Sequence, residues 1–157
     1  MDKIVKHGVL IADPQSNMAS LIAAMMRGIG HRMVTEVTTL RELQATLANR
    51  SFSLVVMDDQ LGPTAIDFVR QLRGDIGHAN RTTAVIMMSA VPSAQTIAEA
   101  RDAGVNEFLK KPFSAADLQK RIAGLDLMPR DFVVAPEYAG PDRRRKTLDI
   151  GDDDQRG

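Results

Sequence analysis

An α/β protein, with a five-stranded parallel sheet covered on both faces by helices, is the fold class that the sequence predicts. Three observations predict it. Short apolar runs of strand length recur at Val9 to Ala12, Met33 to Val37, Leu54 to Met57, Ala84 to Met88 and Phe108–Leu109. Between them, apolar residues fall at helical spacing rather than in alternation. Polar residues stand at the carboxyl ends of four of the runs: Asp13, Asp58, Ser89 and Lys111. Open α/β sheets bind their ligands outside the carboxyl ends of their strands, so these four side chains are expected at one edge.

Each element has its own justification. The run Val9-Leu10-Ile11-Ala12 is apolar throughout, as a strand covered on both faces requires. Met18, Leu21, Ile22, Met25, Met26 and Ile29 then make one stripe and predict a helix over Asn17–Arg27. After the second run, Leu40, Leu43 and Leu47 mark a helix opened by Thr39 with Glu42 three residues later, a capping box. The third run ends on Asp58 and is followed by the stripe Phe68, Val69 and Leu72. The fourth ends on Ser89-Ala90 and leads to Ile97, Ala100 and Ala103, a helix stopped by Gly104. The fifth closes on Lys111-Pro112-Phe113. The last helix starts at Ser114, with Asp117 at its third helical position and Leu118, Ile122 and Leu125 as its stripe. After Asp126 no period is sustained. Pro136, Gly140 and Pro141 read as breakers, and Asp152-Asp153-Asp154-Gln155-Arg156-Gly157 reads as disordered. The expected organisation is one domain over 5–126 and an Arg-rich, largely disordered and flexible C-terminal tail over 127–157.

Composition removes several classes of function. A formal net charge of zero gives no global field favouring nucleic acid, membrane or an acidic substrate. The absence of cysteine excludes disulfides, thiolate metal sites and a thiol nucleophile. No segment approaches the ~18–20 apolar residues of a membrane span, and no apolar stretch follows the N-terminal lysines as a signal peptide requires. A cytoplasmic protein without membrane insertion is expected. His7, His31 and His78 have no ligand spacing. Neither a Gly-x-Gly-x-x-Gly cradle, a Gly-x-x-x-x-Gly-Lys loop nor a Gly-x-Ser-x-Gly elbow is present, and no enzyme acting on a diffusible substrate is expected.

Two carboxylates, a lysine and a hydroxyl suit an aspartate that accepts a phosphoryl group. Such an acceptor needs a divalent cation, usually Mg²⁺, to offset the repulsion between carboxylate and phosphoryl oxygens. It also needs a lysine to pair with the phosphate and a hydroxyl to hydrogen-bond a phosphoryl oxygen. Asp58, Asp13, Lys111 and Ser89 fill these roles.

Over residues 5 to 126 the chain resembles bacterial response-regulator receiver domains, the CheY-like family with a flavodoxin-like, doubly wound sheet. Val9 through Asp13 matches the family's first strand, Leu54 through Asp58 its phosphoacceptor strand, and Met88-Ser89-Ala90 its hydroxyl-Ala step. Ala103-Gly104-Val105 matches the small turn before the fifth strand, and Phe108 through Phe113 the aromatic-x-x-Lys-Pro-Phe ending. The resemblance implies a single-domain response regulator in two-component signalling. Asp58 would be phosphorylated by a sensor histidine kinase or phosphotransfer protein. Ser89 and Phe108 would be its switch pair, Gln60 would supply a backbone carbonyl to the metal, and output would pass by protein–protein contact from the fourth-helix to fifth-helix face to a downstream target. Two features depart from the family. Asp13 is followed by Pro14 where a second acid is usual, which removes a donor from a hard-cation site. The loop Asp59-Gln60-Leu61-Gly62-Pro63-Thr64-Ala65 is one residue shorter than usual. Asp59 does not replace the lost acid, because neighbours on a strand point to opposite faces. Weaker Mg²⁺ binding is expected, with phosphotransfer slow or absent.

In the tail, Arg143, Arg144, Arg145 and Lys146 follow a Gly-Pro turn beside Tyr138, the only tyrosine. Arginine forks match phosphate oxygens, the O6/N7 edge of guanine and base planes. The stretch loosely resembles the arginine-rich tail of CheY-like effectors that bind cyclic di-GMP and act on the flagellar motor. By that resemblance Arg143, Arg144 and Arg145 would contact the nucleotide. The alternative expectation is therefore a pseudo-receiver whose tail senses cyclic di-GMP. No DNA partner is expected, because the tail's acids cancel its cations and no reading helix is present.

Overall fold

In the computed structural model, which describes residues 7–127, 132–135 and 138–141, strands and helices alternate. They are β1 (Val9–Ala12), α1 (Ser16–Ile29), β2 (Val34–Val37), α2 (Leu40–Asn49), β3 (Leu54–Asp58), α3 (Ala65–Gly74), β4 (Ala84–Ser89), α4 (Ala94–Ala103), β5 (Glu107–Lys110) and α5 (Ala115–Leu127). A short hairpin follows, β6 (Phe132–Ala135) and β7 (Tyr138–Pro141). β1 to β5 form one parallel sheet in the order β2-β1-β3-β4-β5. The chain leaves β1 toward β2 on one side and returns to β3 on the other. That reversal opens a crevice above the carboxyl ends of β1 and β3, where such folds bind their ligands.

Strand alternation divides the core in two. Val9 and Ile11, Leu54 and Val56, and Ile86 and Met88 face α1 and α5, where they meet Ile22, Met26, Leu118 and Ile122. Leu10, Val55, Met57, Val85 and Met87 face α2, α3 and α4. Each fully buried aliphatic side chain of this kind contributes roughly 1.5–3 kcal/mol.

Helix starts follow the sequence signals. Thr39 Oγ1 accepts from Glu42 N at 3.0 Å, and Glu42 Oε1 reaches back to Thr38 N at 2.9 Å, one residue beyond the usual partner. The Thr38 N–H is the main reason the Glu42 carboxyl lies below its ordinary value. Ser114 and Asp117 exchange the corresponding bonds at 3.0 and 2.9 Å, which likewise lowers Asp117. Gly104 ends α4 at φ 112°, a conformation that favours glycine, and its N–H reaches the carbonyls of Ala100 and Arg101. Thr39→Ala is expected to cost about 1 kcal/mol, read as a lower urea midpoint at unchanged slope.

The amino edge of the sheet is closed by polar side chains. Arg73 is buried and uses all five of its N–H groups: two on Gly104 O, one each on Arg81 O and Thr83 O, and one on Asn106 Oδ1, at 2.7–3.0 Å. Asn80, fully buried, accepts from Phe52 N and donates to the carbonyls of Leu47 and Arg50.

Past residue 126, eight residues of the tail form strands that the sequence did not predict. Phe132-Val133-Val134-Ala135 pairs antiparallel with Tyr138-Ala139-Gly140-Pro141. The first of these is an apolar, β-branched run, good strand material. Pro136 lies between the strands in sequence. Pro141 stands at a strand end, where its missing N–H removes little from the ladder.

Candidate active site at the carboxyl edge

Asp13 follows β1 directly, Asp58 ends β3, and Lys111 follows β5. All three share the alternation class of Ile11, Val56 and Leu109, whose side chains face α1 and α5. The structure brings them together. Lys111 Nζ donates to Asp13 Oδ2 at 2.6 Å and to Asp58 Oδ2. The outer oxygens are engaged as well: Asp13 Oδ1 accepts from Gln15 N at 2.9 Å, and Asp58 Oδ1 from Gln60 N at 2.7 Å. Asp13 and Asp58 are 1% and 4% exposed, so every carboxylate oxygen is satisfied out of bulk water. Burial pulls the Lys111 ammonium toward a lower pKa. Hydrogen bonds and charge from Asp13 and Asp58 outweigh it and hold the group above the ordinary lysine value.

A cavity of about 530 Å³ opens over this triad, lined on its polar side by Asp13, Gln60, Asp58 and Lys111. Its other wall is apolar: Met18, Leu21 and Met25 of α1, with Pro112 and Phe113. The sequence reading took the α1 stripe as core. Leu21 is half exposed, and that part of the stripe serves as a wall of the site. No sequence signal marks the difference, since six apolar positions in fourteen residues are what one buried face needs.

Ser89 lies at the same edge, 1% exposed, one residue past the partner of Asp58 in the β3–β4 register. Its Oγ accepts from Val91 N at 3.2 Å, and its carbonyl accepts from Lys111 N at 2.8 Å. Phe108 pairs with Met87 in register and sits half-buried on the α4 side, beside Ile97, Ala100 and Arg101. Lys110 is exposed. Asp59 lines a different cavity, about 610 Å³, between α3 and α4 with Asp67, Arg70, Thr96 and Glu99. It is thereby kept from standing in for the acid that Pro14 replaces.

Two carboxylates and the Gln60 carbonyl are hard oxygen donors, and Mg²⁺ commonly binds through one or two carboxylates plus water and phosphate oxygens. The residues fit such an ion, with one donor fewer than two adjacent acids would give. Among the described residues no group of three or more His, Asp or Glu side chains is placed to hold a metal, and this site offers two carboxylates. None of the described helices is long and apolar enough to cross a membrane. Arg143, Arg144 and Arg145 lie outside the described residues, and Tyr138 is described only as backbone of β7.

Comparison with known proteins agrees with this fold. The family model described as response regulator receiver domain matches residues 9–123. Chemotaxis protein CheY of Pseudomonas aeruginosa is 31% identical over 115 residues, covering 73% of this chain and 91% of its own length. Chemotaxis protein CheY-3 of Vibrio cholerae is 30% identical over 115 residues, covering 73% and 87%. Among solved structures, the receiver domain of sensor histidine kinase PA1611 from Pseudomonas aeruginosa PAO1, with a magnesium ion coordinated in its active site cleft, superposes with a TM-score of 0.64. That likeness has 25% identity and covers 77% of this chain and 97% of the other.

Proposed function

Because the chain belongs to the response regulator receiver domain family, and so to two-component signalling, we propose that Asp58 is its phosphoryl acceptor. The donor is a sensor histidine kinase or phosphotransfer protein, and output passes by protein contact from the α4–α5 face to a downstream target in the cytoplasm. Residues 5–126 act as the receiver unit, and 127–157 as an arm attached to it.

The observation that carries this reading is the Lys111 ammonium held between two buried carboxylates at the switch point of the sheet. An Asp58 oxygen attacks the phosphorus of a phosphohistidine. The new P–O bond forms as the P–N bond breaks, and the electron pair leaves with the imidazole, which takes up a proton. Lys111 exchanges its contact with Asp58 for a phosphoryl oxygen while Asp13 continues to orient it. The Ser89 hydroxyl turns from Val91 N to another phosphoryl oxygen, and the space it vacates on the α4 side is open to Phe108. Mg²⁺, held by Asp13, Asp58 and the Gln60 carbonyl, supplies when bound the positive charge that lets carboxylate and phosphoryl oxygens approach. Its binding is weak here, because Pro14 contributes no oxygen and Lys111 already occupies Asp13 and Asp58.

Amide NMR with Mg²⁺ and beryllofluoride, a mimic of aspartyl phosphate, tests the reading. Shifts are expected to spread from Asp58 through Ser89 to Phe108 and to vanish in Asp58→Asn. A spectrum that stays unchanged at saturating beryllofluoride refutes it.

A further inference from the structure

β7 lies against both α3 and α4, and Gly140 and Pro141 are buried there. An isolated two-stranded hairpin is marginal in water, so its contacts with the helices supply what its own ladder lacks. The benefit runs the other way as well. Of the ten residues of α4 only Ala100 and Ala103 are buried, whereas α1 buries four residues and α3 five. Two methyl side chains remove little apolar surface from water. Between α3 and α4 lies the 610 Å³ cavity lined by Asp59, Asp67, Arg70, Thr96 and Glu99. Asp59 Oδ1 is buried at that site with no hydrogen-bond partner. Among the described helices α4 is therefore weakly anchored, and it begins five residues past Ser89.

We propose that the β6–β7 hairpin is a strap that fixes α4 against α3 and thereby couples the C-terminal arm to the sheet edge that carries Asp58. Gly140 is buried, so a larger side chain there would have to find room, and Pro141 brings apolar surface without an N–H that would need a partner. Coupling of this kind is reciprocal: an event at Asp58 that displaces α4 loosens the strap, and one that loosens the strap frees α4. The hold on α4 stands on the packing alone. The link to Asp58 rests on the phosphoacceptor reading above.

Hydrogen exchange on the full chain separates the two claims. Gly140→Val and the double variant Gly140→Val/Pro141→Asp are compared with the parent, following amides of β6, β7, α4, β1 and β3. Loss of protection in β6 and β7 is expected to accompany at least tenfold faster exchange across α4, with β1 and β3 unchanged. Beryllofluoride with Mg²⁺ should then half-saturate at a dose severalfold different from the parent's. The strap is overturned if α4 keeps its protection after β7 has lost its own, or if β7 stays protected in the double variant. A loosened α4 with an unaltered beryllofluoride dose overturns the coupling and leaves the hold on α4 standing. A parent that never responds to beryllofluoride fails the phosphoacceptor reading, and the strap is then judged on exchange alone.

Discussion

Replacing Lys111 by Met is expected to lower stability by about 3 kcal/mol at neutral pH, the lower end of the cost of breaking a buried ion pair, because the lysine is partly exposed. The variant leaves the Asp13 and Asp58 carboxylates adjacent, out of water and without their shared cation. Like charges so placed repel each other strongly, with little water to screen them. The deficit is therefore greatest above the carboxylate range and shrinks as pH falls toward 4, where protonation relieves the repulsion. The parent has the opposite signature. Its lysine is held above the usual 10.5, so its contribution is complete below that value and is lost only as pH rises through the higher folded value. Urea midpoints of parent and variant between pH 4 and 9 check this. Equal midpoints at pH 7 would mean that the lysine places charge for chemistry and adds nothing to the fold. Pairing Lys111→Met with Asp58→Asn closes a double-mutant cycle, whose coupling term isolates the ion pair.

Arg73→Met is expected to cost still more, about 4 kcal/mol, because its removal strips donors from the buried carbonyls of Gly104 and Thr83 and the part-buried carbonyl of Arg81 at once. Each abandoned group costs ~1–3 kcal/mol. For a domain of this size, the midpoint of thermal unfolding should fall by about 10 °C. Arg73→Lys should rescue little, since three donors on one nitrogen cannot span carbonyls that a planar fork reaches from both ends. A midpoint within a few degrees of the parent's would show that water replaces the guanidinium.

What the sequence revealed and what it hid follow from the physics of each element. Strands buried on both faces read as unbroken apolar runs, so β1, β3 and β4 are legible to within a residue. Caps built from Thr39, Ser114 and Gly104 are legible because each satisfies a backbone group from a fixed position. Asp13, Asp58 and Lys111 could be named from their places after strands, because parallel topology brings strand ends together whatever the loops do. The hairpin was hidden because Pro136, Gly140 and Pro141 are breakers in an isolated segment, and packing on α3 and α4 accompanies the strand conformation of Gly140 and Pro141. Arg73 was hidden for a related reason. Its partners are mostly backbone carbonyls in the loops after α3 and α4, and no side-chain pattern marks a carbonyl. The apolar wall of the site was hidden because the α1 stripe has the ordinary width of one buried face, and the exposure of Leu21 shows only in the fold.

Asp58 and Asp59 are neighbours in the chain, yet they border cavities on opposite sides of the sheet. The sheet thus acts as a partition with a writing room and a reading room. On the α1 side stand Asp58, the acceptor under the reading proposed above, and the apolar wall of Met18, Leu21 and Met25. On the α3–α4 side stand Phe108, the acid-lined cavity and the strap. Because α5 packs on the α1 side and α4 on the other, the proposed α4–α5 output face draws on both sides, and only substitutions confined to the two cavities separate writer from reader. The residues that must satisfy both sides are the few that pass through the partition, above all the Asp58-Asp59 step itself.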